Sequence, residues 1–201
     1  MELFKEWFCL QWLGLELSDE EISLLDHTFE YLCHSALQQP QVPVHRDYHS
    51  RNLMLTDEEK IGIIDFQDAV QGPMTYDLVS LLKDCYIHWP ADAVAEWRDY
   101  YLQEAKLAEL LPEDYSKEKF RQEFDLMGAQ RHIKVLGIFC RLWLRDGKSG
   151  YLNDIPLTLQ HLLEATGEYQ NLNRFHQWLL ARIVPALNDK QQQAQPIREN
   201  A

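Results

Sequence analysis

The run at residues 44–68, V-H-R-D-Y-H-S-R-N-L-M-L-T-D-E-E-K-I-G-I-I-D-F-Q-D, constrains this chain more than any other stretch. Asp47 and Asn52 stand in H-R-D-x-x-x-x-N, and Asp65 opens D-F-Q-D. Between them, residues 53–56 and 61–64 are mostly apolar and flank the polar turn Asp57-Glu58-Glu59-Lys60, a pattern that predicts a β-hairpin. A hairpin returns the chain to its starting point. Asn52 is therefore expected beside Asp65, despite the sequence between them.

Composition narrows the class. A chain of 201 residues, 46% hydrophobic, is long enough to bury its own core. The formal net charge of -13 argues against nucleic acid or an anionic membrane surface as the main partner. Cys9, Cys33, Cys85 and Cys140 form no C-x-x-C pair, sit among apolar residues, and read as small core residues in a reducing compartment. The N-terminus shows no signal-peptide pattern, since Glu2, Lys5 and Glu6 interrupt its apolar residues. No stretch approaches the length of a membrane-spanning helix, and a cytoplasmic location is expected.

The rest of the chain is patterned as helices. Residues 1–13 repeat aromatic and leucine side chains at helical spacing on more than one side, up to Gly14, so the helix is expected to pack on both, with part of its wide apolar surface uncovered where it would lie near a missing hinge. Ser18 and Glu21 form a capping box ahead of a stripe of Ile22, Leu25, Phe29, Leu32 and Ala36, which leaves His27 and His34 on the surface. Gly72-Pro73 marks a turn, and Asp77 reads as the N-cap of the helix that follows. Further helices are expected over residues 91–111, from Ser116 to about Arg145, after Asp154 and Pro156, and over residues 169–187. In the long helix from Ser116, Arg131 falls in phase with an apolar face. A charge there is costly unless it lines a polar cleft or is paired.

The loop H-R-D-x-x-x-x-N followed by D-F-Q-D resembles the catalytic loop and metal-binding aspartate of kinase-fold phosphotransferases. That resemblance implies Asp47 as the base that accepts the acceptor hydroxyl's proton, and Asn52 and Asp65 as ligands for Mg2+ carried with ATP. The residue types suit the task, because magnesium takes hard oxygen ligands and needs only one or two carboxylates besides the phosphates. His49, together with Gly72 and Asp77-Leu78, makes the chain similar to the aminoglycoside phosphotransferase family of small-molecule kinases. The short path from Asp65 to Asp77 leaves no room for a protein-kinase activation loop. Arg46 departs from the family pattern, which often has glycine there.

A narrower likeness, carried by residues 130–139, Arg145-Asp146-Gly147-Lys148 and Tyr151-Leu152-Asn153-Asp154-Ile155-Pro156, is to bacterial N-acetylmuramate/N-acetylglucosamine kinases of cell-wall recycling. It implies transfer of the γ-phosphoryl group of ATP to the anomeric hydroxyl of an amino sugar. His49, Asp84 and Arg131 are the substrate candidates: Arg131 would suit the carboxylate of N-acetylmuramate, while Asp84 and Glu123 would form an acidic rim suited to a polycation. The expected fold is mainly α with a small β-hairpin, an α+β C-terminal lobe of a protein-kinase-like fold over residues 1–187, followed by a frayed polar tail at 188–201. No Gly-rich loop or strand lysine precedes His45, so the N-terminal lobe is read as missing, with weak ATP affinity and little turnover expected of this length. The alternatives are a truncated, non-catalytic kinase-fold binding module, or an aminoglycoside- or homoserine-type kinase of the same family.

Overall fold

The computed structural model describes residues 1–194, which divide into two compact units, Tyr31–His132 and Met1–Glu30 with the residues from Ile133 onward. Helices α1 (Asp19–Leu37) and α4 (Lys117–Asp146) contribute residues to both.

The unit Tyr31–His132 carries all four strands found among the described residues. β2 (Leu53–Leu55) and β3 (Ile61–Ile63) form the expected antiparallel hairpin, with Leu53 opposite Ile63. A second antiparallel pair joins β1 (Gln41–Val44) to β4 (Val70–Pro73). Gly72-Pro73 therefore ends a strand instead of forming a turn. Glycine at 72 permits a close approach there: a Cβ would lie 2.6 Å from a methyl of Val44, on the paired strand. α2 (Thr75–Leu82) and α3 (Ala91–Leu107) pack with the first half of α4. One core cluster holds Met74, Leu102, Ala105, Leu111 and Phe120, and another holds Val79, Leu82, Phe124 and Met127. α3 stops before the expected residue 111, because Glu109 adopts a left-handed φ of 57°. Gln39 ties this unit together from within. Its amide accepts from the Thr75 hydroxyl at 2.7 Å and donates to the Glu123 carbonyl at 3.2 Å.

In the other unit, the N-terminal segment Phe4–Trp12 is wound as a π-helix that ends at Gly14 with φ 71°. Phe4 stacks on Phe8 and meets Phe29 and Trp178 edge-on, so the segment's apolar surface is largely covered; of its large apolar residues Leu10 is the exposed one. The capping box forms as expected. The Ser18 N–H donates to the Glu21 carboxylate at 2.9 Å and the Glu21 N–H to the Ser18 hydroxyl at 3.2 Å. His27 and His34 are on the surface, as the stripe requires, but Ile22 is exposed as well. Gly137 of α4 lets the Leu3 backbone approach so closely that a Cβ would sit 2.4 Å from its carbonyl carbon. Gly147, at φ 70°, closes α4: its N–H donates to the Trp143 carbonyl and the Lys148 N–H to the Leu142 carbonyl. Then follow α5 (Ile155–Gly167), α6 (Asn173–Trp178), a π turn at Leu179–Ile183, and α7 (Val184–Ala194). α7 extends into the expected polar tail, since Lys, Gln and Ala are good helix formers; residues 195–201 lie outside the described ones. Cys9 and Cys140 are buried as expected, but Cys33 is exposed on α1 and Cys85 is half-buried.

Among the described residues, no helix is long and apolar enough to cross a membrane.

Candidate active site

β1 delivers the chain to His45 and Arg46, whose backbone is held from α2. Both Asp77 carboxylate oxygens are used: Oδ2 accepts the His45 N–H at 2.5 Å and Oδ1 the Arg46 N–H at 3.0 Å. Asp77 was expected to cap α2. It lies inside the first turn of that helix, which starts at Thr75, and gives the helix no side-chain cap. Its carboxylate serves the loop instead. Arg46 has φ 78°, a left-handed conformation that costs a non-glycine residue roughly 1–2 kcal/mol. That conformation explains physically why glycine suits this position.

Asp47 follows, exposed to solvent. Asn52, at the end of a short 3-10 turn (Ser50–Asn52), donates from Nδ2 to the Asp47 carbonyl at 2.9 Å, which leaves its Oδ1 as a free-facing acceptor. The Asn52 carbonyl in turn accepts the Ile64 N–H at 3.2 Å, extending the hairpin by one bond and bringing Asn52 next to the residue before Asp65. The expectation of adjacent Asn52 and Asp65 segments is met. His45 Nε2 lies 2.9 Å from the carbonyl of Ile64, so the loop touches this residue at both its N–H and its carbonyl. Asp65 is exposed, adopts φ 67°, and is steadied by Gln67, which donates to its carboxylate at 2.6 Å. Aspartate tolerates that conformation better than most residues.

The three further candidates are placed differently. Asp84 is only 1% exposed, and its carboxylate is consumed by the Ser50 N–H (3.0 Å), the Ser50 hydroxyl (2.6 Å) and the Tyr86 N–H (3.0 Å). It braces the loop from below and offers no face to a substrate. Glu123 is likewise buried, bound by the Tyr115 hydroxyl at 2.8 Å, and burial raises its carboxyl above the usual range. The acidic rim expected from this pair is therefore absent. Arg131 is half-buried; Nη1 donates to the Arg46 carbonyl at 3.2 Å, Nη2 donates to the Ser80 hydroxyl, and the guanidinium lies over the Tyr76 ring. Its apolar-face position is satisfied by neutral acceptors and an aromatic ring. His49 stays at the loop surface, half-buried and edge-on to Tyr86 at 5.4 Å, with a buried Nδ1 that has no hydrogen-bond partner. Burial lowers its pKa below the ordinary histidine value, against the opposing pull of the Asp84 and Asp47 charges, so the ring is neutral near pH 7.

The donor set at the exposed end of this loop is one amide oxygen and one carboxylate, Asn52 and Asp65, with Asp47 beside Asn52. Hard oxygen donors of that kind fit Mg2+ and leave most of its coordination to phosphates and water. Among the described residues no group of three or more His, Cys, Asp or Glu side chains could hold a metal ion by itself, so a self-contained protein cage is not the arrangement here. The hairpin beside the site is open: Met54, Leu55, Ile61, Ile63, Ile64 and Phe66 are all exposed, Leu55 at 77%.

The motifs legible in sequence omitted Asp77 as an anchor and His45 as a bridge. The signal for Asp77 was its position one turn into a helix right after β4, a place where capping and loop anchoring call for the same residue.

Comparison with known proteins places these features in context. The model of the phosphotransferase enzyme family matches residues 2–121. Curated N-acetylmuramate/N-acetylglucosamine kinases are similar: that of Pseudomonas putida is 44% identical over 172 residues, 86% of this chain and 50% of the relative. The Neisseria meningitidis protein of the same name is 44% identical over 192 residues, 95% of this chain and 55% of the relative. That of Pseudomonas aeruginosa is 43% identical over 172 residues, 86% of this chain and 50% of its own length. The chain thus spans about half the length of the curated relatives it matches. The match across the H-R-D loop, the hairpin and α2, with the Asp47–Asn52–Asp65 arrangement inside it, means that this chain belongs to the phosphotransferase enzyme family.

Proposed function

We propose that this chain carries the base-and-metal half of an ATP- and Mg2+-dependent kinase that phosphorylates a sugar hydroxyl, with the anomeric hydroxyl of N-acetylmuramate or N-acetylglucosamine as the acceptor. The observation that carries the reading is the loop in which Asn52 is bonded to the Asp47 backbone and, through Ile64, to the Asp65 segment. The names of the relatives support the acceptor class.

In this reading Asp47 accepts the proton of the acceptor hydroxyl as its oxygen bonds to the γ-phosphorus and the bond to the departing ADP oxygen breaks. Asn52 Oδ1 and the Asp65 carboxylate would hold Mg2+, which when bound would supply neutralisation of the phosphate charge. Asp77 and Asp84 keep the loop rigid, so that Asp47 is in place before the acceptor arrives. His49, neutral and facing the loop surface, is the acceptor-side residue retained from the candidate set.

The test is steady-state phosphorylation by the full-length natural protein containing this chain, offered N-acetylmuramate, N-acetylglucosamine and a kanamycin-type aminoglycoside. Turnover of the amino sugars is expected, with Asp47→Asn lowering kcat by about 10²–10⁴-fold. Turnover of the aminoglycoside alone would overturn the acceptor assignment, and an Asp47→Asn enzyme of normal rate would remove Asp47 from the chemistry.

A further inference from the structure

Arg46 is gripped at both of its backbone polar groups. Its N–H is bonded to Asp77, and its carbonyl accepts from Arg131 Nη1 at 3.2 Å. Between those bonds it holds a φ of 78°. A non-glycine residue persists in that region only when its surroundings over-determine it. The carbonyl held by Arg131 belongs to the same planar peptide as the Asp47 N–H, so rotation of that peptide would swing the Asp47 carboxylate.

Arg131 is itself fixed for this task. Nη2 donates to the Ser80 hydroxyl and the guanidinium stacks 4.3 Å from the Tyr76 ring centroid, both on α2, the helix that also supplies Asp77. A planar fork can serve a carbonyl and a hydroxyl while stacked on a ring; a lysine ammonium cannot do all three. Ser80 is buried, so this bond is sheltered from water.

We propose that Arg131 is a positioning residue for Asp47: it fixes the Arg46–Asp47 peptide in its left-handed turn and does not bind the acceptor. The inference rests on the reading of Asp47 as the base.

The experiment is a kinetic series in the full-length natural protein containing this chain, with circular dichroism melts alongside. Arg131→Met is expected to lower kcat about 10–100-fold while the KM values for ATP and amino sugar stay within about twofold, since a small misplacement of a reacting group costs rate and not binding. Arg131→Lys recovers part of the loss. Arg46→Gly in the Arg131→Met background raises kcat at least about threefold over Arg131→Met alone, because glycine has no reason to leave the left-handed region. If Arg131→Met does not fold, Ser80→Ala carries the same test, with kcat lowered about 2–5-fold and KM unchanged. An amino-sugar KM raised about tenfold with kcat intact would make Arg131 an acceptor ligand and overturn the inference. Unchanged kinetics, or a kcat loss that glycine at position 46 does not relieve, would overturn it too. Asp47→Asn separates the two levels: if it lowers kcat about 10²–10⁴-fold while Arg131→Met leaves kcat unchanged, only the positioning role fails, and if Asp47→Asn leaves turnover intact the base assignment fails first and this inference with it.

Discussion

At Asp77 one carboxylate accepts two consecutive backbone N–H groups, those of His45 and Arg46. Bonds to a charged acceptor are worth about 1.5–3 kcal/mol each, more than neutral ones. Asn in its place would keep one acceptor oxygen and turn an N–H donor toward a second N–H. Asp77→Asn is therefore expected to cost about 2–3 kcal/mol of stability and to lower kcat about 10²-fold, read by chemical denaturation and by initial rates. Rates unchanged in the folded variant would show that the Arg46 turn holds without this anchor. The meeting of the Asp47, Asn52 and Asp65 segments was legible in sequence because their spacing around a hairpin is itself the motif. The loop contacts of Asp77, Asp84 and Arg131 were not legible, for one common reason. Each reaches the H-R-D loop, Asp77 through the His45 and Arg46 N–H groups, Asp84 through the Ser50 N–H and hydroxyl, and Arg131 through the Arg46 carbonyl, partners that no side-chain pattern announces.

Helix α1 shows what an element owes to its ends. The capping box at Ser18 and Glu21 was readable as a local signature, and it forms. What was not readable is that the same Glu21 carboxylate also accepts from Trp178 Nε1 at 2.8 Å and Arg182 Nε at 2.9 Å, residues from the far end of the sequence. The Ser18 N–H bond, followed by the bonds from Trp178 and Arg182, holds the Glu21 carboxyl below its ordinary value of 4.5. A carboxyl depressed on folding contributes stability that is present above its unfolded pKa and lost as pH falls through the folded one. Glu21→Gln keeps the cap but not the charge. It should be less stable than wild type at pH 7, by about 1 kcal/mol, with the gap closing below pH 4.5 in urea melts run across pH. A gap independent of pH would mean that the charge contributes nothing. The hairpin was legible from its two apolar runs and the polar turn between them, whereas the π-helical winding of Phe4–Trp12 and Leu179–Ile183 was not, since about one extra residue per turn leaves the apolar spacing nearly the same over so short a run.

Over the molecule, apolar exposure is distributed unevenly. The N-terminal helix is largely covered, as packing on both its sides requires, with Leu10 left exposed, and most of the bare residues near the H-R-D loop lie on β2, β3 and the segment through Phe66. In the family reading this is the side on which a nucleotide would need a second wall. For residues 1–201 alone we therefore expect ATP with Mg2+ to bind too weakly to saturate at millimolar concentration in titration calorimetry, with little sugar phosphorylation. Saturable binding and full turnover would overturn that reading. The cysteines, by contrast, are sorted cleanly. Burial pushes the thiols of Cys9 and Cys140 far up and hides them, and Cys85 is half-covered, while Cys33 stands exposed on α1. Reactivity follows the thiolate and its access. The fold thus comes with its own attachment point: a thiol-directed fluorophore or spin label lands first on Cys33, and distances measured from it would report on the H-R-D loop without any engineered cysteine.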